Sequence, residues 1–130
     1  MLQEIVQPRF SETDALGHIN NTVFPVWFEA ARTPLFRIFT PDLNVQQWKL
    51  IIARVSIDYH GETHYGQQVE VRTWVSRIGN SSFEIYQEAW QNDAKCVSGT
   101  TVAVHFDYQH KKSTPLTEAQ KALLQAHSKA

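Results

Sequence analysis

Thr13-Asp14-Ala15-Leu16-Gly17-His18-Ile19-Asn20-Asn21 runs almost directly into the strongly apolar residues 23–39. A carboxylate, a glycine, an imidazole and two carboxamides thus stand where a polar loop should deliver the chain into a buried helix. The entrance of a helix offers free backbone N–H groups and the positive end of the macrodipole. A carboxylate near such donors has the elements needed to attack a carbonyl carbon and to stabilise the oxyanion. Taken alone, Asp14 also reads as a turn residue that bonds its side chain to backbone near Gly17. Gly17 supplies a positive φ or lets a substrate approach closely. Asn20 and Asn21 are natural helix caps. His18 has three possible roles: orienting Asp14, bonding a substrate carbonyl, or holding the loop.

Working outward, residues 4–10 read as a first strand that Pro8 confines to an edge or an end. Across residues 23–39 the apolar side chains cover nearly the whole circumference, which predicts a helix buried on most sides. Pro25 fits its first turn, whereas Pro34 should kink it. The following segments alternate with period two, as strands do. Ile51, Ala53, Val55, Ile57 and Tyr59 share one face. Val69, Val71, Thr73 and Val75 share the next, Phe83, Ile85 and Ala89 a third, and residues 97–106 form the last long strand. Gly79-Asn80 and Asn92-Asp93 mark hairpin turns. A final helix over residues 117–127 opens with Thr117 and Gln120 at capping-box spacing, and its small apolar residues predict peripheral packing. The expected class is α+β: a curved antiparallel sheet wrapped around one long central helix, since that helix is the only large apolar partner for the sheet.

A chain of 130 residues fits a single domain spanning 1–130. The formal net charge of -1 leaves no global field for nucleic acid or acidic membranes, so neither is an expected partner. Cys96, the one cysteine, cannot form an intramolecular disulfide and reads as packing in a strand. The first residues show no leader pattern and no apolar run reaches membrane-spanning length, so the cytoplasm is the expected location. His60 and His64 flank Gly61 without a completing ligand set, and no metal is expected.

The segment 13–21, together with Glu29-Ala30-Ala31-Arg32, Ile57-Asp58-Tyr59, Tyr65-Gly66 and Gly79-Asn80-Ser81-Ser82, resembles the hotdog-fold acyl-CoA thioesterases of the 4-hydroxybenzoyl-CoA thioesterase type. The resemblance spans about residues 4–116. It implies the hotdog fold, a five-stranded sheet around the central helix, and hydrolysis of an acyl thioester to free acid and thiol without a cofactor. Asp14 would be the catalytic acid residue, as nucleophile or general base, and the backbone N–H at Asn21 would polarise the carbonyl, with His18 in the catalytic set. Gly17, Asn20, Phe24, Trp27 and Tyr59 would contact substrate. Arg77, Ser81 and Ser82 would meet coenzyme A phosphates, although Asn80 stands where the family often has a basic residue. Two protomers would share active sites across a dimer, and dimers would pair into tetramers. Two rival functions share this fold: a non-catalytic acyl-thioester binding module, and an acyl-thioester hydratase or dehydratase.

Overall fold

The apolar stretch 23–39 folds as two helices, not one. In the computed structural model, which describes residues 1–129, α1 spans Val23–Ala31 and α2 spans Thr33–Phe39. The break falls at Arg32. Pro34 lies at the first positions of α2, where its missing N–H costs least, so the kink expected from proline becomes a helix restart. Five long or medium strands curl around this pair: β1 (Leu2–Val6), β2 (Leu50–Tyr59), β3 (Val69–Ile78), β4 (Ser82–Gln91) and β5 (Ala94–Asp107). All neighbours are antiparallel in the order β1-β3-β4-β5-β2, and a two-residue β6 (Lys112–Ser113) pairs with the end of β5. The last helix, α3, spans Glu118–Gln125 and closes its Thr117–Gln120 capping box as expected. This is the curled sheet and helix of the hotdog fold.

Alternation places one face of each strand on the helices. Val69, Val71, Thr73 and Val75 of β3 and Phe83, Ile85, Gln87 and Ala89 of β4 are buried against them. α1 contributes Phe24, Trp27, Phe28 and Ala31, and α2 contributes Leu35 and Phe39. Phe28 presses close to the sheet at Gly99. A Cβ on Gly99 would lie 3.0 Å from Phe28 Cε2. Gly99→Val should therefore cost about 3 kcal/mol through overpacking, read as a lower urea midpoint at unchanged slope. A midpoint equal to wild type would show that α1 can shift without cost.

One polar cluster crosses the core. Arg32 Nη1 donates to Gln87 Oε1 and to Thr101 Oγ1, both at 3.2 Å, and Gln87 Nε2 donates to Phe28 O at 2.9 Å and Thr73 Oγ1 at 3.1 Å. These bonds fix the helix break to the centre of the sheet. Burial lowers the Arg32 pKa, with Glu29 pulling the other way. As the residue capping the end of α1, Arg32 also meets the negative end of that helix.

Several expectations change. β1 is shifted towards the terminus, and Pro8 and a short 3-10 turn at Phe10–Glu12 follow it. α1 is buried on one face only: Val26 is 63% exposed, and Pro25 and Ala30 also face outward. An extra residue at Ala53 shifts the register of β2 between Ile52 and Arg54, so Leu50, Ile52, Val55, Ile57 and Tyr59 share the inner side, and Ala53 does not. α3 is less peripheral than its small residues suggested, because Leu124 is fully buried in the core with Leu35, Phe83 and Leu116. The C-terminal segment then returns to the sheet, where Val75 N–H donates to His127 O at 2.9 Å and Ser128 lies beside Val75. Among the described residues, no helix is long and apolar enough to cross a membrane.

Candidate active site

The polar loop is a small hairpin stitched at both ends. Thr13 pairs with Ile19, and Asp14 N–H donates to His18 O at 2.7 Å. Gly17 turns the chain with φ +81°, as its position required. The hairpin is laid on residues 63–64: Ile19 N–H donates to Thr63 O at 2.8 Å and His18 pairs with His64. Below it, Asn20 N–H donates to Glu12 O at 2.8 Å.

Asp14 is half-buried, and its two oxygens have different surroundings. Oδ1 accepts the backbone N–H of Leu16 at 2.8 Å and of His18 at 3.1 Å. Oδ2 takes no hydrogen bond among the described residues. The turn role and an available carboxylate oxygen therefore coexist in one side chain: Oδ1 orients the group, and Oδ2 accepts no hydrogen bond among the described residues.

The entrance to α1 is built by Asn20. Its Oδ1 accepts from Thr22 N–H at 2.9 Å and from Thr22 Oγ1 at 2.8 Å, and its carbonyl accepts Val23 N–H at 3.0 Å. Of the two carboxamides proposed as caps, Asn20 alone turns the chain, and Thr22 precedes the helix without a side-chain cap bond. Asn21 is exposed, and its N–H finds no acceptor among the described residues. Its carbonyl is fixed by Tyr59, whose hydroxyl donates to Asn21 O at 2.7 Å. Burial pushes the Tyr59 phenol pKa up, so the hydroxyl keeps its proton at neutral pH. Phe24 packs edge-on against both Trp27 (5.2 Å) and Tyr59 (6.0 Å). Phe24 and Trp27 are core residues in this chain, 3% and 6% exposed.

Two carboxylates that sequence reading did not single out as site residues shape this region. Glu12 is buried; its Oε2 accepts Trp27 Nε1–H at 3.1 Å and its Oε1 accepts Arg9 N–H at 2.7 Å, so it ties the loop to α1. Glu62 approaches His18 Nε2 at 3.3 Å and His64 Nε2 at 3.9 Å, and the two imidazoles meet edge-to-face at 5.2 Å. The His18 ring therefore points to Glu62, while its backbone N–H serves Asp14. Glu12 sits two residues before Asp14, a proximity legible in the sequence, whereas its tryptophan partner lies fifteen residues on. Glu62 lies on the β2–β3 connection and carried none.

His60 turns away to Ser98 Oγ at 2.7 Å. Among the described residues, no three His, Cys, Asp or Glu side chains are placed to hold a metal ion. Cys96 is buried at the register shift of β5 with its sulfur against Glu62 O, in a packing role. His105 is 7% exposed, packs at a 52° tilt against the Phe39 ring and bonds Pro115 O through Nδ1. Arg77, Ser81 and Ser82 lie around the β3–β4 turn. That turn and the Asp14 loop sit at opposite ends of β4, because His64, next to the loop, bonds Gln91 at the far end of the strand. Nine residues of strand separate the ends by roughly 30 Å, so one chain does not bring these groups together.

The sequence pattern of the Thioesterase-like superfamily matches residues 8–124. A solved structure from Bacillus stearothermophilus, described as a predicted thioesterase, is 42% identical and superposes with a TM-score of 0.95 over 98% of this chain and 96% of its own. A thioesterase from Thermus thermophilus, solved with coenzyme A and Zn, is 29% identical, with a TM-score of 0.84 over 95% of this chain and 91% of its own. The uncharacterised protein YsmA of Bacillus subtilis (strain 168) is 26% identical over 120 residues, covering 92% of this chain and 82% of its own.

Proposed function

The chain belongs to the thioesterase-like superfamily and is a thioester hydrolase, and on that premise we propose that its substrate is an acyl-coenzyme A cleaved by Asp14. The observation that carries this reading is the split environment of Asp14: Oδ1 fixed by two backbone N–H groups, Oδ2 free. The N–H of Asn21, with Tyr59 anchoring that residue, is the proposed donor to the thioester oxygen. A thioester needs little more, because thiolate leaves readily. Asp14 Oδ2 either adds to the carbonyl carbon, expelling thiolate and leaving a mixed anhydride that water cleaves, or removes a proton from an attacking water. Gly17 and Asn20 shape the loop, and Glu62 aims His18. Coenzyme A in the Thermus thermophilus relative supports the choice of thiol carrier.

Assembly belongs to the same proposal. β2 lies at one end of the sheet order, so its outer edge has no strand partner among the described residues. It leaves Ile51, Ile52, Val55 and Tyr59 39%, 40%, 50% and 49% exposed. A ten-residue unpaired edge carrying these four exposed apolar side chains is a template for a second copy. Pairing β2 with β2 about a two-fold axis would cover the outward side of α1 and place the far end of the partner's sheet near Asp14. Arg77, Ser81 and Ser82 reach coenzyme A only from such a partner. Pairing of dimers into tetramers is the further step of this proposal.

The test is thiol release from a panel of acyl-coenzyme A esters. Turnover of at least one ester to free acid is expected. Binding without thiol release would replace this reading with the non-catalytic one, and hydration of an enoyl ester without thiol release would replace it with the hydratase.

A further inference from the structure

Trp48 and Tyr108 form a second recess that has no part in the site described above. A short 3-10 turn at Val45–Gln47 leads through Trp48 into β2, and the connection between β5 and β6 carries Tyr108 against it. Tyr108 is held there by its hydroxyl, which donates to Leu50 O at 2.5 Å, and by its ring, edge-on to Phe106. Trp48 is fixed by Phe36 at 5.4 Å. Two adjoining hollows of about 340 and 370 Å³ lie between them, and Gln46, Trp48 and Tyr108 line both. Val45 is 73% exposed and Tyr108 46%, while Lys49, Asp107 and Gln109 line the second hollow, the Asp107 carboxylate being engaged by His110 Nδ1 and by the N–H groups of Gln109 and His110.

These groups suit one chemistry. Rigid aromatic faces stack on a heteroaromatic base, and amide side chains read its polar edge. A lysine meets phosphate. An acyl chain would use the aromatic surface and leave the amides and the cation without a role.

Position decides which site the recess serves. It lies at the Leu50 end of β2, whereas the Asp14 loop lies at the Tyr59 end, where Tyr59 holds Asn21. Nine residues of strand put the two roughly 30 Å apart in one chain. In an antiparallel pair of β2 strands that overlap along their whole length about a two-fold axis, the Leu50 end of one strand lies beside the Tyr59 end of the other, neighbouring strands being about 5 Å apart. We propose that this recess holds the adenine nucleotide end of the coenzyme A whose thioester reacts at Asp14 of the partner subunit. The inference rests on the acyl-coenzyme A reading and on β2 pairing.

Val45→Glu tests it, since Val45 is mostly exposed and its loss leaves the core untouched. KM for an acyl-coenzyme A should rise about tenfold with kcat within about twofold, while the same acyl group on pantetheine is turned over as by wild type. Adenosine 3′,5′-bisphosphate should inhibit the wild type and inhibit Val45→Glu about tenfold more weakly. Equal effects on both thioesters, or none on either, overturn the nucleotide assignment. A mixed dimer of one Asp14→Asn protomer and one Val45→Glu protomer tests the crossing. If the recess serves the partner, one intact site remains, with wild-type KM and half the kcat. A raised KM in the mixed dimer overturns the crossing. A wild-type protein that releases thiol from no acyl-coenzyme A overturns the parent reading and this inference with it, whereas an active wild type with an indifferent Val45→Glu overturns the recess alone.

Discussion

Asp14→Asn is expected to lower kcat/KM for the best acyl-coenzyme A substrate by about a thousandfold, some 4 kcal/mol of barrier. Asparagine keeps an oxygen for the N–H groups of Leu16 and His18, so the loop should hold its shape. What it loses is the negative charge and the nucleophilic or basic oxygen at the Oδ2 position. The melting temperature should therefore stay close to wild type while thiol release collapses. Asp14→Ala should be as inactive and also less stable, because two backbone donors lose their acceptor at about 1 kcal/mol each. A continuous thiol assay beside thermal melting separates these effects. Wild-type turnover in Asp14→Asn would remove Asp14 from the chemistry and leave it as a turn residue.

The second large effect should come from Ile52→Asp combined with Val55→Asp. Both side chains are about half-exposed on β2, so the single chain should tolerate carboxylates there. Across a β2 pair the same substitutions bring four carboxylates together, and burying each without a partner costs several kcal/mol. Sedimentation should show the proposed β2-paired assembly, at least twice 15.0 kDa, losing that pairing and at least halving in mass. With each site deprived of its partner, kcat/KM should fall about a hundredfold or more. An unchanged mass would place the interface elsewhere, and a fully active single chain would show that each site is complete within one protomer.

Much of the local structure was legible because local rules decide it. Gly17 and the Asn92-Asp93 turn take positive φ where their residue types predict it. The capping box at Thr117 closes. Alternation correctly sided Val69, Val71, Thr73 and Val75. Failures came where distant parts of the chain decide. Nothing local tells β2 to pair with β5 and leave β3 to β1 and β4, nor marks Ala53 as the residue that resets the face of β2. The all-round apolarity of residues 23–39 predicted burial that one chain supplies to one face of α1 only. The Asp14 loop could be read as a turn and as a catalytic element; the turn reading holds, and it engages only one oxygen of the carboxylate, leaving the other for the chemistry we propose. Glu62 was not legible as a site residue because its partner, His18, lies 44 residues earlier.

The two rims of the sheet are unequal. β1 is five residues long, carries Gln3 and Glu4, and is followed by Pro8, whereas β2 offers ten residues with exposed isoleucine and valine. Short, charged strands ended by proline resist lateral addition. The proposed pairing through β2 would use the same patch on both copies, so that sheet would close at two chains. A head-to-tail union of β2 with β1 would repeat without end and draw the chains into a fibre, and it is the weakness of β1 that disfavours it. On that proposal residues 2–6 would act as a guard against fibre growth: replacing Glu4 and lengthening that strand with apolar residues would turn a self-limiting sheet pair into a polymerising one.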